Sequence, residues 1–132
     1  MTSSNVYGQI IVADKIEFNP KSNSTSLIQV RNYLELSLIP SVAIVDILVK
    51  LRFDKDASFP LWILVKNPES EVVFSYEHPE LIQNIREAQM DPGIDLALNS
   101  RFLVNMEGTY YIELLADRSI LSDYPVYIRC VQ

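Results

Sequence analysis

Residues 44–54, Ile-Val-Asp-Ile-Leu-Val-Lys-Leu-Arg-Phe-Asp, alternate in polarity from one position to the next. Val45, Ile47, Val49, Leu51 and Phe53 fall on one side; Asp46, Lys50, Arg52 and Asp54 fall on the other. Successive side chains of an extended strand point to opposite faces, so this stretch predicts a strand with one buried and one wet face.

Similar runs recur along the chain. One is expected from about Gln9 to Phe18, with Ile10, Val12, Ile16 and Phe18 aligned. The turn cluster Asn19-Pro20-Lys21-Ser22-Asn23-Ser24 follows it. A second runs from Ser26 to about Leu38, with Ile28, Val30, Leu34, Leu36 and Leu38 on one face and Asn32 interrupting them. Pro40 ends it, because proline cannot donate a ladder hydrogen bond. The third is the 44–54 run. Leu61–Lys66 and Glu71–Tyr76 flank Asn67-Pro68-Glu69-Ser70, a tight turn with proline second, and read as a hairpin. Residues 78–92 break the alternation. Pro79 suits a first helical position and Asp91-Pro92-Gly93 a stop, so a short helix or an irregular insert is expected. Three more strands follow, at about Leu96–Val104, Thr109–Ala116 and Tyr124–Val131.

The expectation is an all-β fold: an antiparallel, Greek-key-like β-sandwich of seven to eight strands. Its 132 residues suit one domain, with residues 1–7 expected to be flexible. At 48% hydrophobic residues the chain can bury a core without metals or disulfides. The start, Met1-Thr2-Ser3-Ser4-Asn5, has neither the positive charge nor the apolar core of an export signal. Together with a single cysteine, Cys130, this predicts a reducing, cytoplasmic setting. No apolar run is long enough to span a membrane. A net charge of −6 argues against a nucleic-acid partner, since affinity there comes mainly from neutralising phosphates.

Gly108-Thr109-Tyr110 leading into a strand resembles the tyrosine corner of Greek-key sandwiches, with Tyr110 as the corner. A wider set of positions resembles an uncharacterised bacterial β-sandwich family catalogued as a domain of unknown function. The positions are Val12-Ala13-Asp14, the strand–Asn67-Pro68–strand hairpin, Gly108-x-Tyr110, the turn Asp117-Arg118-Ser119 and Pro125-x-x-Ile128. The chain departs from that pattern in lacking a glycine in its last turn and in its 78–92 insert. The resemblance implies a small β-sandwich and no known activity.

Catalytic and metal chemistry find little footing. The one histidine, His78, excludes any site built on two histidines within the chain, and no ligand spacing suggests zinc. Cys130 lies with Val126 and Ile128 in an alternating strand and reads as a small hydrophobe. Glu69, Glu71, Glu77 and Glu80 cluster in sequence and read as a solvated acidic face. Asp14 and Asn32 interrupt apolar stripes and are expected to be inward polar residues bonded to each other or to backbone. Three glycines cannot assemble a glycine-rich phosphate cradle. No enzyme activity, cofactor or metal is expected.

Aromatic residues carry more. Trp62, Leu64, Tyr111, Leu115 and Tyr127 fall opposite their strands' main apolar stripes and would form an outer patch, of the kind that marks interfaces. The resulting expectation is a protein-interaction module that binds another protein or pairs with itself as a homodimer. The alternative is a small-ligand-binding or hydrolytic sandwich with a cleft near residues 76–92, drawing on Tyr76, Glu77, His78, Glu80 and Arg86.

Overall fold

The computed structural model describes residues 5–131. It contains β1 (Tyr7–Asn19), β2 (Ser24–Val30), β3 (Tyr33–Leu36), β4 (Ser41–Arg52) and β5 (Leu61–Lys66). These are followed by β6 (Val72–Glu77), β7 (Gly93–Val104), β8 (Gly108–Ala116) and β9 (Ser119–Cys130). One sheet has the order β2-β1-β4-β7 and the other β3-β9-β8-β5-β6. Strands β4 and β7 are neighbours, as are β5 and β8, although neither pair is consecutive in sequence. The chain therefore crosses between sheets repeatedly, which is the Greek-key signature.

Alternation explains the core. Val45, Ile47, Val49, Leu51 and Phe53 are all buried, as are Ile63 and Val65 of β5, Tyr110, Ile112 and Leu114 of β8, and Val126 and Ile128 of β9. The inner faces of both sheets meet in one apolar cluster. Ser100 is the polar residue on the inner side of β7, and its hydroxyl donates to the Val45 carbonyl at 3.0 Å. Tyr110 makes the expected corner: its hydroxyl donates to the Met106 carbonyl at 2.9 Å.

The expected second strand is two strands. Its first half, β2, pairs antiparallel with β1, and its second half, β3, pairs parallel with β9 in the other sheet. The changeover lies at Arg31–Asn32. Tyr124 donates its hydroxyl to the Arg31 carbonyl at 2.7 Å, and the Tyr127 amide donates to the Asn32 carbonyl at 2.9 Å. Accordingly Leu34 and Leu36 pack on the core, while Ile28 and Val30 are exposed. This split raises the count to nine strands. It also makes one pair parallel, with no helical crossover.

Asp14 and Asn32 do not turn inward; both are exposed. Asp14 instead takes two hydrogen bonds from the Arg31 guanidinium, at 2.9 and 2.8 Å. The stripe of β1 also runs out. β1 pairs with β4 only as far as Ala13 and with β2 from there on, so Phe18 lies beyond the core and is 61% exposed.

Residues 78–92 are irregular, with no helix and a single hydrogen-bonded turn in which the Met90 amide donates to the Glu87 carbonyl at 2.9 Å; the segment touches the fold through a bridge between Phe59 and Ile82, whose side chains are both buried. Near the start of the chain, Val6 is buried and Tyr7 opens β1, while residues 1–4 of the expected flexible stretch lie outside the described residues. Ile39–Pro40 is a cis peptide.

Candidate interaction face

Register pairs in neighbouring strands project to the same side of a sheet. In the five-stranded sheet Trp62 lies opposite Leu115, Leu64 opposite Glu113, and Lys66 opposite Tyr111. Tyr111 in turn lies opposite Pro125, and Tyr127 opposite both Thr109 and Tyr33. All five residues expected to form a patch therefore share the outer face of β5, β8 and β9. Trp62, Leu64 and Leu115 are half-buried among their neighbours, while Tyr111 is 43% and Tyr127 38% exposed.

The face is not uniformly apolar. Lys66 Nζ and Glu113 Oε1 are 3.1 Å apart between Leu64 and Tyr111. That carboxylate oxygen is shielded from solvent and makes no directed hydrogen bond, so the ammonium is its sole electrostatic partner among the described residues. Tyr33 and Arg129 extend the face beyond the sequence-based set. The Tyr33 and Tyr127 rings stack with centroids 6.2 Å apart, and the Arg129 guanidinium lies 5.7 Å from the Tyr127 centroid. The Tyr33 hydroxyl donates to Glu35 at 2.6 Å, which raises its phenol above the ordinary tyrosine range. Tyr33 was not legible in advance, because its place beside Tyr127 depends on the parallel pairing of β3 with β9; Arg129, two residues after Tyr127 on β9, follows from alternation along that one strand.

The residues expected around 76–92 separate into two groups. Tyr76 lies opposite Ile63 on the inner side of β6, whereas Glu77 lies opposite Trp62 on the outer side. The His78 ring meets Tyr76 edge-on at 6.2 Å, and its Nδ1 is 2.9 Å from the Glu80 carbonyl. His78 and Glu80 border a depression of about 380 Å³ with Leu81, Ile82 and Ile85. Arg86 is elsewhere, bonded to Asp95 at 3.0 Å and to the Asp91 carbonyl at 3.2 Å.

Glu69 and Glu71 belong to the β5–β6 turn. There the buried Asn67 side-chain oxygen accepts both their amides at 2.9 Å, and its amide nitrogen donates to the Glu71 carboxylate at 2.8 Å. Cys130 is half-buried, and its backbone amide donates to Glu107 at 2.7 Å. Among the described residues no group of three or more His, Cys, Asp or Glu is placed to hold a metal ion, and no helix could cross a membrane.

The class these features define is an all-β sandwich. No protein-family model and no curated protein matches the sequence. Solved structures that resemble it include an immunoglobulin-like protein from Pseudomonas aeruginosa, 12% identical, covering 98% of this chain and 100% of that one, with a TM-score of 0.49. Another is a domain from Pyrococcus furiosus described as a CARDB domain in complex with di-metal ions. It is 12% identical, with 95% and 96% coverage and a TM-score of 0.46. A β-glucosidase from Listeria innocua is 9% identical, matching 96% of this chain over 17% of its own length, with a TM-score of 0.45. At such similarity these likenesses carry nothing about activity.

Proposed function

We propose that the chain is a non-enzymatic protein-interaction module that associates through the outer face of its five-stranded sheet, with a second copy of itself as the first partner to test. The observation that carries this reading is the gathering of Trp62, Leu64, Leu115, Tyr111 and Tyr127 on one side of three adjacent strands. Tyrosine and tryptophan offer large contact area at low entropy cost and concentrate binding energy at interfaces. An isologous contact would set this face against its own copy, the commonest symmetry for soluble oligomers. The ordered short motifs support membership of the uncharacterised bacterial β-sandwich family that the sequence resembles. The hydrolytic alternative has less support, since Tyr76 and Glu77 face opposite sides and Arg86 is engaged with Asp95.

The test is solution mass by light scattering over a range of concentrations, for the parent chain and for Trp62→Ala and Tyr127→Ala. A dimer whose dissociation constant rises about tenfold or more in either variant, with the circular dichroism melt unchanged, supports the reading. A monomer at all concentrations removes the self-pairing. Unfolding of both variants would show those side chains to be structural and would overturn the face as an interface.

A further inference from the structure

Three cations meet at one end of the four-stranded sheet's outer face, in a protein with a net charge of −6. β4 carries Lys50 and Arg52 on that face. Gln9 of β1 and Asp95 of β7 flank Lys50 in register; Tyr7 and Gly93 flank Arg52. Gly93 has no side chain; a Cβ built there would meet the Leu51 carbonyl oxygen at 2.1 Å and Nη1 of Arg86 at 2.8 Å. The Arg86 guanidinium, reaching in from the 78–92 segment, packs beside that bare position.

Arg86 is fixed there. Its Nη2 donates to Asp95 Oδ1 at 3.0 Å and its Nη1 to the Asp91 carbonyl at 3.2 Å. The Asn84 side-chain oxygen ties segment to strand by accepting the amides of Arg86, at 3.1 Å, and Gly93, at 3.0 Å. Lys50 takes the other oxygen of the same carboxylate at 2.9 Å. One acid thus serves two cations. Among the described residues Arg52 has no acid partner; its guanidinium lies 4.9 Å from the centroid of the Tyr7 ring. Arg52 from β4 and Arg86 from the 78–92 segment thus line one groove, where their like charges repel. A loop-stapling role accounts for Arg86 and Asp95, but it leaves Arg52 unexplained.

We propose that this groove binds a phosphate group, free or carried on a small monoester, held between the Arg52 and Arg86 guanidinium groups with Lys50 beside them. Guanidinium geometry matches phosphate oxygens. The groove's own lining holds these three cations and no acid; Asp95 at its rim pairs with two of them, and Asp54 and Asp91 line the adjoining depression beside Arg52. The groove is an open depression of about 550 Å³, room for a small organic portion as well.

The test is titration of the full chain, followed by calorimetry and by amide NMR shifts, with inorganic phosphate, glycerol 3-phosphate, and sodium chloride at matched ionic strength. Expected is saturable one-to-one binding of a phosphate probe at millimolar or lower concentration, with shifts centred on Tyr7, Gln9 and Arg52. Binding should tighten as pH rises through about 6 for the monoester, and about a unit higher for inorganic phosphate, where each gains its second charge. Arg52→Gln should weaken it about tenfold or more without changing the thermal melt, while Lys21→Gln, in the distant β1–β2 turn, leaves it unchanged. Whichever phosphate probe binds tighter identifies the source. Shifts that chloride reproduces, binding undiminished in Arg52→Gln, or equal weakening in both variants would overturn the proposal.

Discussion

Tyr110 places the greatest demand on a single side chain. It is fully buried, with its hydroxyl on the Met106 carbonyl at 2.9 Å. Burial pushes its phenol above the ordinary value. The native state therefore prefers the neutral phenol. Its contribution to stability is whole below about pH 10, the unfolded value, and is lost as pH rises through the higher folded one. Tyr110→Phe should cost about 1–2 kcal/mol at pH 7, by stranding the Met106 carbonyl, and should flatten the alkaline limb of the stability curve. Urea denaturation at neutral and alkaline pH checks both; unchanged stability at pH 7 would mean the corner bond contributes nothing. The alkaline loss that remains belongs in part to Tyr124, whose phenol burial also raises. Asp14 has the opposite sign. Hydrogen bonds from Arg31 hold its carboxyl below the usual range, so its contribution is present above about pH 4 and fades as pH falls. Both partners are more than a third exposed, so solvent and salt keep that contribution small.

At the scale of elements the β8–β9 hairpin is the one that departs from its own turn chemistry. Ala116 pairs with Ser119 across Asp117 and Arg118, whose φ angles are 49° and 70°. Two left-handed residues in succession make the mirror-image hairpin turn, which favours glycine at the second place. Arginine pays a steric penalty there that glycine does not. Arg118→Gly should raise stability by roughly 0.5–1 kcal/mol, visible as a higher melting temperature; a lower one would show that the arginine side chain makes a stabilising contact. This is also the turn in which the resembled family carries glycine. The β5–β6 turn was legible beforehand because Asn67-Pro68 names its own conformation, whereas nothing about an arginine announces a positive φ. β4, β5 and β8 were legible because each buries one face along its length. The second run was misjoined because Ile28 through Leu36 keep a single alternation across a boundary that only the hydrogen bonds at Arg31 and Asn32 create.

Across the whole molecule the pairings of β1 with β4, β4 with β7, and β3 with β9 join distant parts of the chain. Loop closure must precede the reward from such contacts, so refolding after denaturant dilution should fall in the millisecond-to-second range; a dominant sub-millisecond phase would contradict it. Local alternation determined the fold class, most strand positions, the tyrosine corner and the five residues of the outer face, because side-chain direction in a strand is settled by the backbone within a few residues. Tertiary structure alone decided the nine-strand order, the outward turn of Asp14, the addition of Tyr33 to the face, and the gathering of Lys50, Arg52 and Arg86 around one groove. Each of these depends on which distant strand lies alongside, and period-two patterning is the same for every possible neighbour.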